Sequence, residues 1–264
     1  MSFPTRAVEQ DRLERSLNSF ATQSFRDQAD RDYIAARLAC RYELFPQFLW
    51  SSHQAIEKYL KAILLYNRIN ATEVGHDLAA AMSLTKQLPF QIELSSRSRK
   101  FIDHLANCGE FRYLDVPYHV AGYVLVDLDL AVWEVRRFCQ VLDVFGKVLP
   151  PQAQALLEKA KAELARSSAE PRYKFHLHGG LLEKILKDRK HPSRSALQWQ
   201  NAAYGVRSRA TVRAKHHLHA QNPHLYLYPE MLDELLKFVF IPRRLAGGYR
   251  AHLASIKADP SRRP

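Results

Sequence analysis

Apolar residues recur with the period of an α-helix along most of this chain, and this periodicity is the strongest constraint on its fold. Between Leu49 and Ile63 they fall at helical spacing on one face, which only His53 interrupts. Pro46 stands just before this stripe, where it suits the first turn of a helix. Glycine is scarce, with 9 residues in 264, and runs of β-branched residues are few. The pattern therefore predicts an all-α fold.

The same periodicity predicts helices in both halves of the chain. In the first half they cover about residues 32–43, a segment from Pro46 to Asn67, and about 77–86, 93–108 and 119–148, with a frayed or docked helix in 1–30. In the second half they cover about residues 152–166, 181–188, 195–204 and 229–240. No strand ladder is predicted, and residues 226–228 are the only mildly strand-like patch. The residues expected in one core are Leu49, Ile56, Leu60, Phe101, Leu105, Leu128, Val135 and Phe138.

The positive charge is confined to the second part of the sequence. Residues 1–150 contain 18 Lys and Arg and 18 Asp and Glu, whereas residues 151–264 contain 21 and 9, which accounts for the whole net charge of +12. This asymmetry is typical of proteins with a polyanionic partner, RNA or DNA before a membrane. The alternative is a solvated basic surface that keeps the protein soluble. Together with the Pro150–Pro151 pair, the asymmetry predicts an N-terminal segment 1–30, a helical bundle 31–149 and a basic, mostly helical region 150–264.

Cysteine usage and hydropathy indicate the compartment. Cys40, Cys108 and Cys139 lie far apart in apolar helical patterns, which is typical of buried thiols in a reducing environment. No stretch has the roughly 18 apolar residues of a membrane span, and the first residues contain no signal-peptide core. The sequence contains no Walker loop and no GxGxxG motif. We therefore expect a cytoplasmic protein with no membrane association, no metal and no cofactor.

Three segments of the first half together carry a family resemblance. They are Asp-Tyr-x-x-Ala-Arg at 32–37, Gln-Ala-Ile-Glu-Lys-Tyr-Leu-Lys-Ala at 54–62 and Gly-His-Asp-Leu at 75–78. Together they resemble the HEPN family, the nucleotide-binding domains of higher eukaryotes and prokaryotes, over about residues 31–147. The resemblance implies an up-and-down helical bundle that usually forms a two-fold dimer. It also implies partners such as an antitoxin or a nucleotidyltransferase.

Two histidines in these segments are interpreted as structural. In the Gly-His-Asp-Leu turn, Gly75 is expected to make the turn, Asp77 to cap or open the next helix, and His76 to fix its start. His53 is interpreted as a core or interface histidine.

One pair of residues carries a catalytic hypothesis. Many HEPN proteins are ribonucleases, and their signature is an Arg followed, after four to six residues, by a His. This chain has Arg112 and His119 with six residues between them, in the region between the last two predicted helices of the bundle. Cleavage of RNA through its own 2′-hydroxyl needs a base for that proton and a cation for the charge that builds on phosphate. The alternative is that Pro117 makes this stretch a structural corner between helices.

A cluster of cations and imidazoles in the basic region suits contact with nucleic acid. The predicted nucleic-acid-binding residues are Arg207, Arg209, Arg213, Lys215, His216 and His217. Trp199, Tyr204 and Tyr226 are expected to be available for stacking on bases. A dimer surface or a solvated face is the alternative interpretation of this cluster.

Two hypotheses of different classes follow. The leading one is a metal-independent HEPN-type endoribonuclease, a hydrolase, with a basic extension that binds RNA. The rival is a non-catalytic dimerising scaffold that binds nucleic acid, nucleotide or a protein partner. In an enzyme, Arg112 and His119 should share a solvent-open groove near a two-fold axis, whereas in a scaffold they should be apart, buried or ion-paired.

If residues 151–264 bind RNA, the affinity should fall steeply with salt, because each phosphate contact releases counterions. Reversing Arg207, Arg209 and Arg213 to Glu should weaken binding to all RNA sequences alike, which filter binding at several salt concentrations measures. Binding that ignores salt, or no binding at all, would assign this charge to solubility.

Overall fold

The structure is a computed structural model that describes residues 6–107, 117–142, 151–204 and 218–262, and within these ranges the regular structure is helical apart from one short sheet. The first half contains α1 (Arg6–Phe20), a π-helical stretch (Ala21–Arg26), α2 (Asp27–Arg41), α3 (Phe45–Tyr66), α4 (Leu78–Leu84), α5 (Ser96–Asn107), β1 (Tyr118–Ala121) and α6 (Val124–Arg136). The second half contains α7 (Pro151–Ser167), α8 (Leu181–Lys187), α9 (Arg194–Gln198), β2 (Leu218–Gln221), α10 (His224–Leu227), α11 (Leu232–Leu235) and α12 (Arg243–Ala258). The predicted all-α fold class is confirmed.

Helix α3 is the centre of the bundle, since it contacts α2, α4, α5 and α6. Its apolar residues are buried on nearly every face, as expected for a helix enclosed by its neighbours. The predicted core is confirmed, because one buried cluster contains all of Leu49, Ile56, Leu60, Phe101, Leu105, Leu128, Val135 and Phe138.

Part of the second half packs on this same core. Leu182 and Ile185 of α8, Leu197 of α9, and Tyr204 belong to the buried cluster of the bundle. A separate, smaller cluster lies further along the chain and consists of Leu225, Leu232, Ile241, Ala246 and Tyr249. The predicted division at residues 149–150 stays a prediction, but residues 181–204 are packed against the bundle.

The local signals at helix ends are confirmed. Pro46 lies in the first turn of α3. Gly75 adopts a φ of +53°, which favours glycine, and Asp77 caps α4 by accepting a hydrogen bond of 3.0 Å from the backbone N–H of Ala80.

Several predicted elements were wrong. The helix predicted to begin at residue 119 instead begins at Val124, because Tyr118–Ala121 is a strand that pairs antiparallel with Leu218–Gln221. A helix-period search cannot detect this pairing, since the partner strand lies about a hundred residues away in sequence.

The second half contains further differences. Residues 226–228 are not strand, because α10 covers His224–Leu227. The helix predicted over 229–240 is a 3₁₀ turn followed by the short α11, and Phe238 and Phe240 beyond it are exposed. Helix α12 was not predicted, because its adjacent Gly247 and Gly248 lower its helix propensity.

Helices α2 and α6 are joined by two reciprocal buried ion pairs. Each helix offers an acid and, seven residues later, an arginine: Asp30 and Arg37 on α2, Asp129 and Arg136 on α6. Arg136 pairs with Asp30 through two hydrogen bonds of 2.6 and 2.9 Å, and Arg37 pairs with Asp129. The side chains of all four residues are fully buried. The acid of each helix thus pairs with the arginine that lies seven residues further along the other helix. The two helices therefore run antiparallel.

The Arg136 pair extends to the second half through Glu183 of α8. Both guanidinium nitrogens Nη1 and Nη2 of Arg136 donate to the Glu183 carboxylate at 2.8 Å, and Tyr59 donates to Asp30 at 2.6 Å. Gly180 lies so close that a Cβ there would come within 2.0 Å of Glu183 Oε2. Arg136 lowers the pKa of Glu183, against the effect of burial, which acts to raise it.

The Arg37 pair extends to the segment that follows α9. Nε of Arg37 donates to the carbonyl of Ala196 at 3.1 Å, and Nη2 donates to the carbonyl of Trp199. The other oxygen of Asp129 accepts the backbone N–H of Ala202 at 3.0 Å. The two ion pairs thus bind the bundle to residues 177–204.

No helix in the described ranges combines the length and the apolar character needed to cross a membrane.

Replacing Arg136 with Met should lower the free energy of unfolding by about 3–5 kcal/mol, because it leaves two carboxylates buried without their cation. The control is Arg15→Met, since Arg15 forms an exposed i,i+4 pair with Asp11, and a change of at most about 0.5 kcal/mol is expected there. Urea unfolding followed by circular dichroism measures both. Equal stability of the two variants would contradict a structural role for the buried pair.

Candidate functional site

The short sheet presents one histidine to solvent. In β1, Tyr118 and Val120 are buried against the core, whereas His119 between them is exposed on the opposite face. Tyr118 pairs with Gln221 and Val120 with His219 across the two strands. The alternation of a strand therefore directs His119 away from the core.

A second histidine lies beside His119. The rings of His104, on α5, and His119 have centroids 4.8 Å apart and planes inclined by 53°. The imidazole of His104 also hydrogen-bonds to the backbone of His119. A half-buried imidazole and an exposed imidazole therefore lie side by side where α5 and β1 meet.

Burial lowers the pKa of His104, and the neighbouring His119 lowers it further by charge repulsion. The hydrogen bond to the His119 backbone opposes this change but is the smallest of the three effects. His104 therefore favours its neutral form, which can accept a proton.

Sequence reasoning missed His104. It lies on α5 beside the apolar stripe of Phe101 and Leu105, so only its proximity to that stripe was visible. Its neighbour His119 follows it by 15 positions and lies on another element, and no motif spacing joins them.

The other face of the sheet is structural. The His219 ring lies 4.8 Å from Phe45 and 6.0 Å from Tyr118. Tyr118 donates a hydrogen bond of 2.8 Å to Gln221 Oε1. These contacts hold β2 against β1 and against the start of α3.

Only one of the predicted site residues falls in the described part of the chain, namely His119. Arg112 lies outside the described residues, and so does the whole predicted nucleic-acid-binding set, Arg207, Arg209, Arg213, Lys215, His216 and His217. By chain connectivity, His217 directly precedes Leu218, the first residue of β2, which pairs with Ala121 of the strand that carries His119.

The aromatic residues expected to stack on bases contact other side chains of the protein. Tyr204 is buried, with the Arg136 guanidinium 5.6 Å from its ring centroid. Tyr226 stacks on His252 at 4.4 Å, and Arg41 lies 5.4 Å from the ring of the half-buried Trp199. The expectation was wrong for Tyr204, which is a core residue.

The segment 54–62 and the Gly-His-Asp-Leu turn meet at one buried carboxylate. Glu57 accepts Lys61 at 2.7 Å and lies 3.1 Å from His76 Nδ1, while Lys61 also donates to the carbonyl of Gly75 at 2.6 Å. His53 is buried as predicted, and burial lowers its pKa, but its Nδ1 has no hydrogen-bond partner among the described residues. These contacts fasten the turn to α3.

Among the residues that the structure describes, no group of three or more His, Cys, Asp or Glu is placed to hold a metal ion.

Comparison with known proteins gives one match. Residues 22–139 match the family model of the HEPN domain, a range that includes α2 to α6 and both His104 and His119. No curated protein and no solved structure matches the chain.

The pKa of His104 should lie below the usual value for a histidine, about 6.5, and should rise in a His119→Gln variant, because the repulsion disappears while burial remains. A pH titration of the imidazole signals by NMR measures this, with His219→Gln as the control that leaves His104 unchanged. Because folding disfavours the charged form, stability should decrease as the pH falls below the pKa of the unfolded chain. An unchanged His104 titration in His119→Gln would contradict the coupling of the two rings.

Proposed function

Because residues 22–139 of this chain are a HEPN domain, we propose that the protein is a metal-independent endoribonuclease whose acid–base pair is His104 and His119. The observation that carries the proposal is the placement of two imidazoles 4.8 Å apart, one exposed and one with a lowered pKa. Titratable groups whose environments differ in this way can divide the roles of acid and base.

The reaction needs two proton transfers. Neutral His104 takes the proton of a ribose 2′-hydroxyl, and the 2′-oxygen attacks the adjacent phosphorus. The bond from phosphorus to the 5′-oxygen breaks, and protonated His119, which lies exposed on β1, gives its proton to that oxygen. The products are a 2′,3′-cyclic phosphate and a free 5′-hydroxyl. Proton exchange with water restores both imidazoles.

Arg112 keeps its predicted role in this proposal. An arginine fork can hold two phosphate oxygens and stabilise the charge that builds on them. HEPN domains often bind nucleic acid and dimerise, so we include RNA as the substrate and a homodimer as the assembly. Binding of RNA by the basic residues between Tyr204 and Leu218 is supported by their charge and by their attachment to β2.

A cytoplasmic location fits the chemistry of the described thiols. Burial raises the pKa of Cys40 to about 11 and raises that of Cys139 still further, so both are protonated and poorly reactive at neutral pH.

His119→Ala and His104→Gln should each reduce cleavage of RNA by roughly 10²-fold or more, because each removes one proton transfer. Cleavage by the wild type should persist in EDTA and leave a 2′,3′-cyclic phosphate. Gel electrophoresis of end-labelled RNA measures rate and end group together. Arg112→Lys should also be impaired, since lysine keeps the charge but loses the fork.

The matched control is His176→Ala, which removes an exposed histidine whose ring hydrogen-bonds locally to the Lys174 carbonyl. It should cleave like the wild type. If the wild type cleaves no RNA, or if His119→Ala cleaves normally, the non-catalytic scaffold becomes the better description. If only His104→Gln cleaves normally, the ribonuclease stands and His104 has a structural role.

A further inference from the structure

Four arginines are buried in the described part of the chain, and three of them pair with carboxylates. The exception is Arg137, which follows α6 and is 4% exposed. No carboxylate of a described residue lies within ion-pair distance of it, and its Nε has no hydrogen-bond partner there. A buried cation without a counter-ion is costly, so its surroundings matter.

The contacts of Arg137 are with hydroxyls and aromatic rings. Nη1 donates to Ser167 Oγ at 3.0 Å and to Ser168 Oγ at 3.1 Å. The guanidinium carbon lies 4.8 Å from the ring centroid of Trp133 and 4.9 Å from that of Phe138. These contacts orient the guanidinium but leave its charge without a neutralising partner.

The pKa of Arg137 reflects this imbalance. Burial has the largest effect and lowers it. The carboxylates of Glu93 and Glu134, beyond ion-pair distance, act to raise it, and Arg172 lowers it again. In Arg37 and Arg136 the paired carboxylates overcome the effect of burial, and their pKa values are raised. Among the buried arginines of the described residues, Arg137 is therefore the one that has no ion pair and whose pKa is lowered.

Two cavities meet at Arg137. One, of about 460 Å³, is lined by apolar side chains together with Gln91, Glu93, Lys161 and Ser168. Its apolar wall consists of Pro89, Phe90, Phe138, Leu142, Leu164 and Ala165. The other, of about 360 Å³, is lined by Glu134 and Glu170 in addition to Glu93, so its three carboxylates outnumber the cations Arg137 and Arg172 and disfavour an anion. The first cavity is therefore the one that suits a negatively charged ligand.

We propose that the first cavity binds a small organic anion, whose carboxylate or phosphate pairs with Arg137 and whose apolar body packs against Phe90 and Phe138. These two rings are stacked on each other, with centroids 5.3 Å apart, and both line the cavity. Lys161 stands at the rim as a second cation, and Ser168 lies beside the head group as a hydroxyl donor. The volume falls within the range of about 300–1,000 Å³ that is typical of ligand pockets.

One residue acts against the ligand. Glu93 lines the same cavity and is exposed, so it repels an anion, although water screens part of its charge. Its removal should strengthen binding, whereas the removal of Lys161 should weaken it. Opposite effects of two rim substitutions are a signature of an anionic ligand.

The site is separate from the histidine pair. Arg137 follows the carboxyl end of α6, whereas β1 with His119 precedes its amino end, and a helix of this length spans about 20 Å. The proposal therefore does not depend on ribonuclease activity.

Calorimetric titration of the full chain tests the proposal with four probes. Phenyl phosphate and octanoate carry an anionic head on an aromatic or an aliphatic body, inorganic phosphate has no body, and benzyl alcohol has no charge. We expect saturable binding of phenyl phosphate or octanoate, at least about 10-fold tighter than that of inorganic phosphate or benzyl alcohol. The tighter of the two anions identifies the class of natural ligand.

The variants decide whether Arg137 is the anchor. Arg137→Gln should weaken binding by about 10-fold or more, since a hydrogen bond to a charged group is lost. Glu93→Gln should tighten binding and Lys161→Gln should weaken it, while His104→Gln should leave it unchanged. Because the two rim residues are exposed, they remain informative if Arg137→Gln fails to fold. The proposal is overturned if neither anion binds, if benzyl alcohol binds as tightly, or if Glu93→Gln and Lys161→Gln bind like the wild type.

Discussion

The reciprocal ion pairs between α2 and α6 are the constraint on which the rest of the structure depends. Asp30 with Arg136 and Arg37 with Asp129 lie fully buried, two helical turns apart. Breaking one such pair leaves an uncompensated charge in a medium of low polarity, which is far more costly than losing an apolar contact. The pairs therefore specify both the antiparallel orientation of the two helices and their register along each other.

This register also positions the candidate site. Helix α6 packs against α5 as well as α3, and β1 leads directly into its first turn. Fixing α6 therefore fixes β1, so that His119 lies beside His104 of α5. Strand β2 of the second half then pairs with β1 along its edge, so both halves of the chain hold the strand that carries His119.

The bundle was predictable because its signals are local. The stripe of α3, the Asp77 cap and the Gly75 turn each depend on residues within a few positions of one another, and all three are present. Failures occurred where distant residues decide the structure. The strand at Tyr118 forms because Gln221 pairs with it, and Tyr204 is buried because Arg136 and α2 enclose it. His119 was accessible to sequence reasoning through the family resemblance, whereas His104 becomes significant only when α5 and β1 are brought together.

The separation in sequence between Arg37 and its partners affects how the protein folds during its synthesis. Asp129 follows Arg37 by 92 residues, and the Trp199 carbonyl follows it by 162. On the ribosome, α2 is therefore finished long before any partner for its arginine exists. An arginine that cannot yet be neutralised disfavours early closure of the core, so the nascent bundle should remain open until α6 has emerged with Asp129. Translation past α6, and not completion of α2 and α3, then sets the earliest moment at which the native core can close.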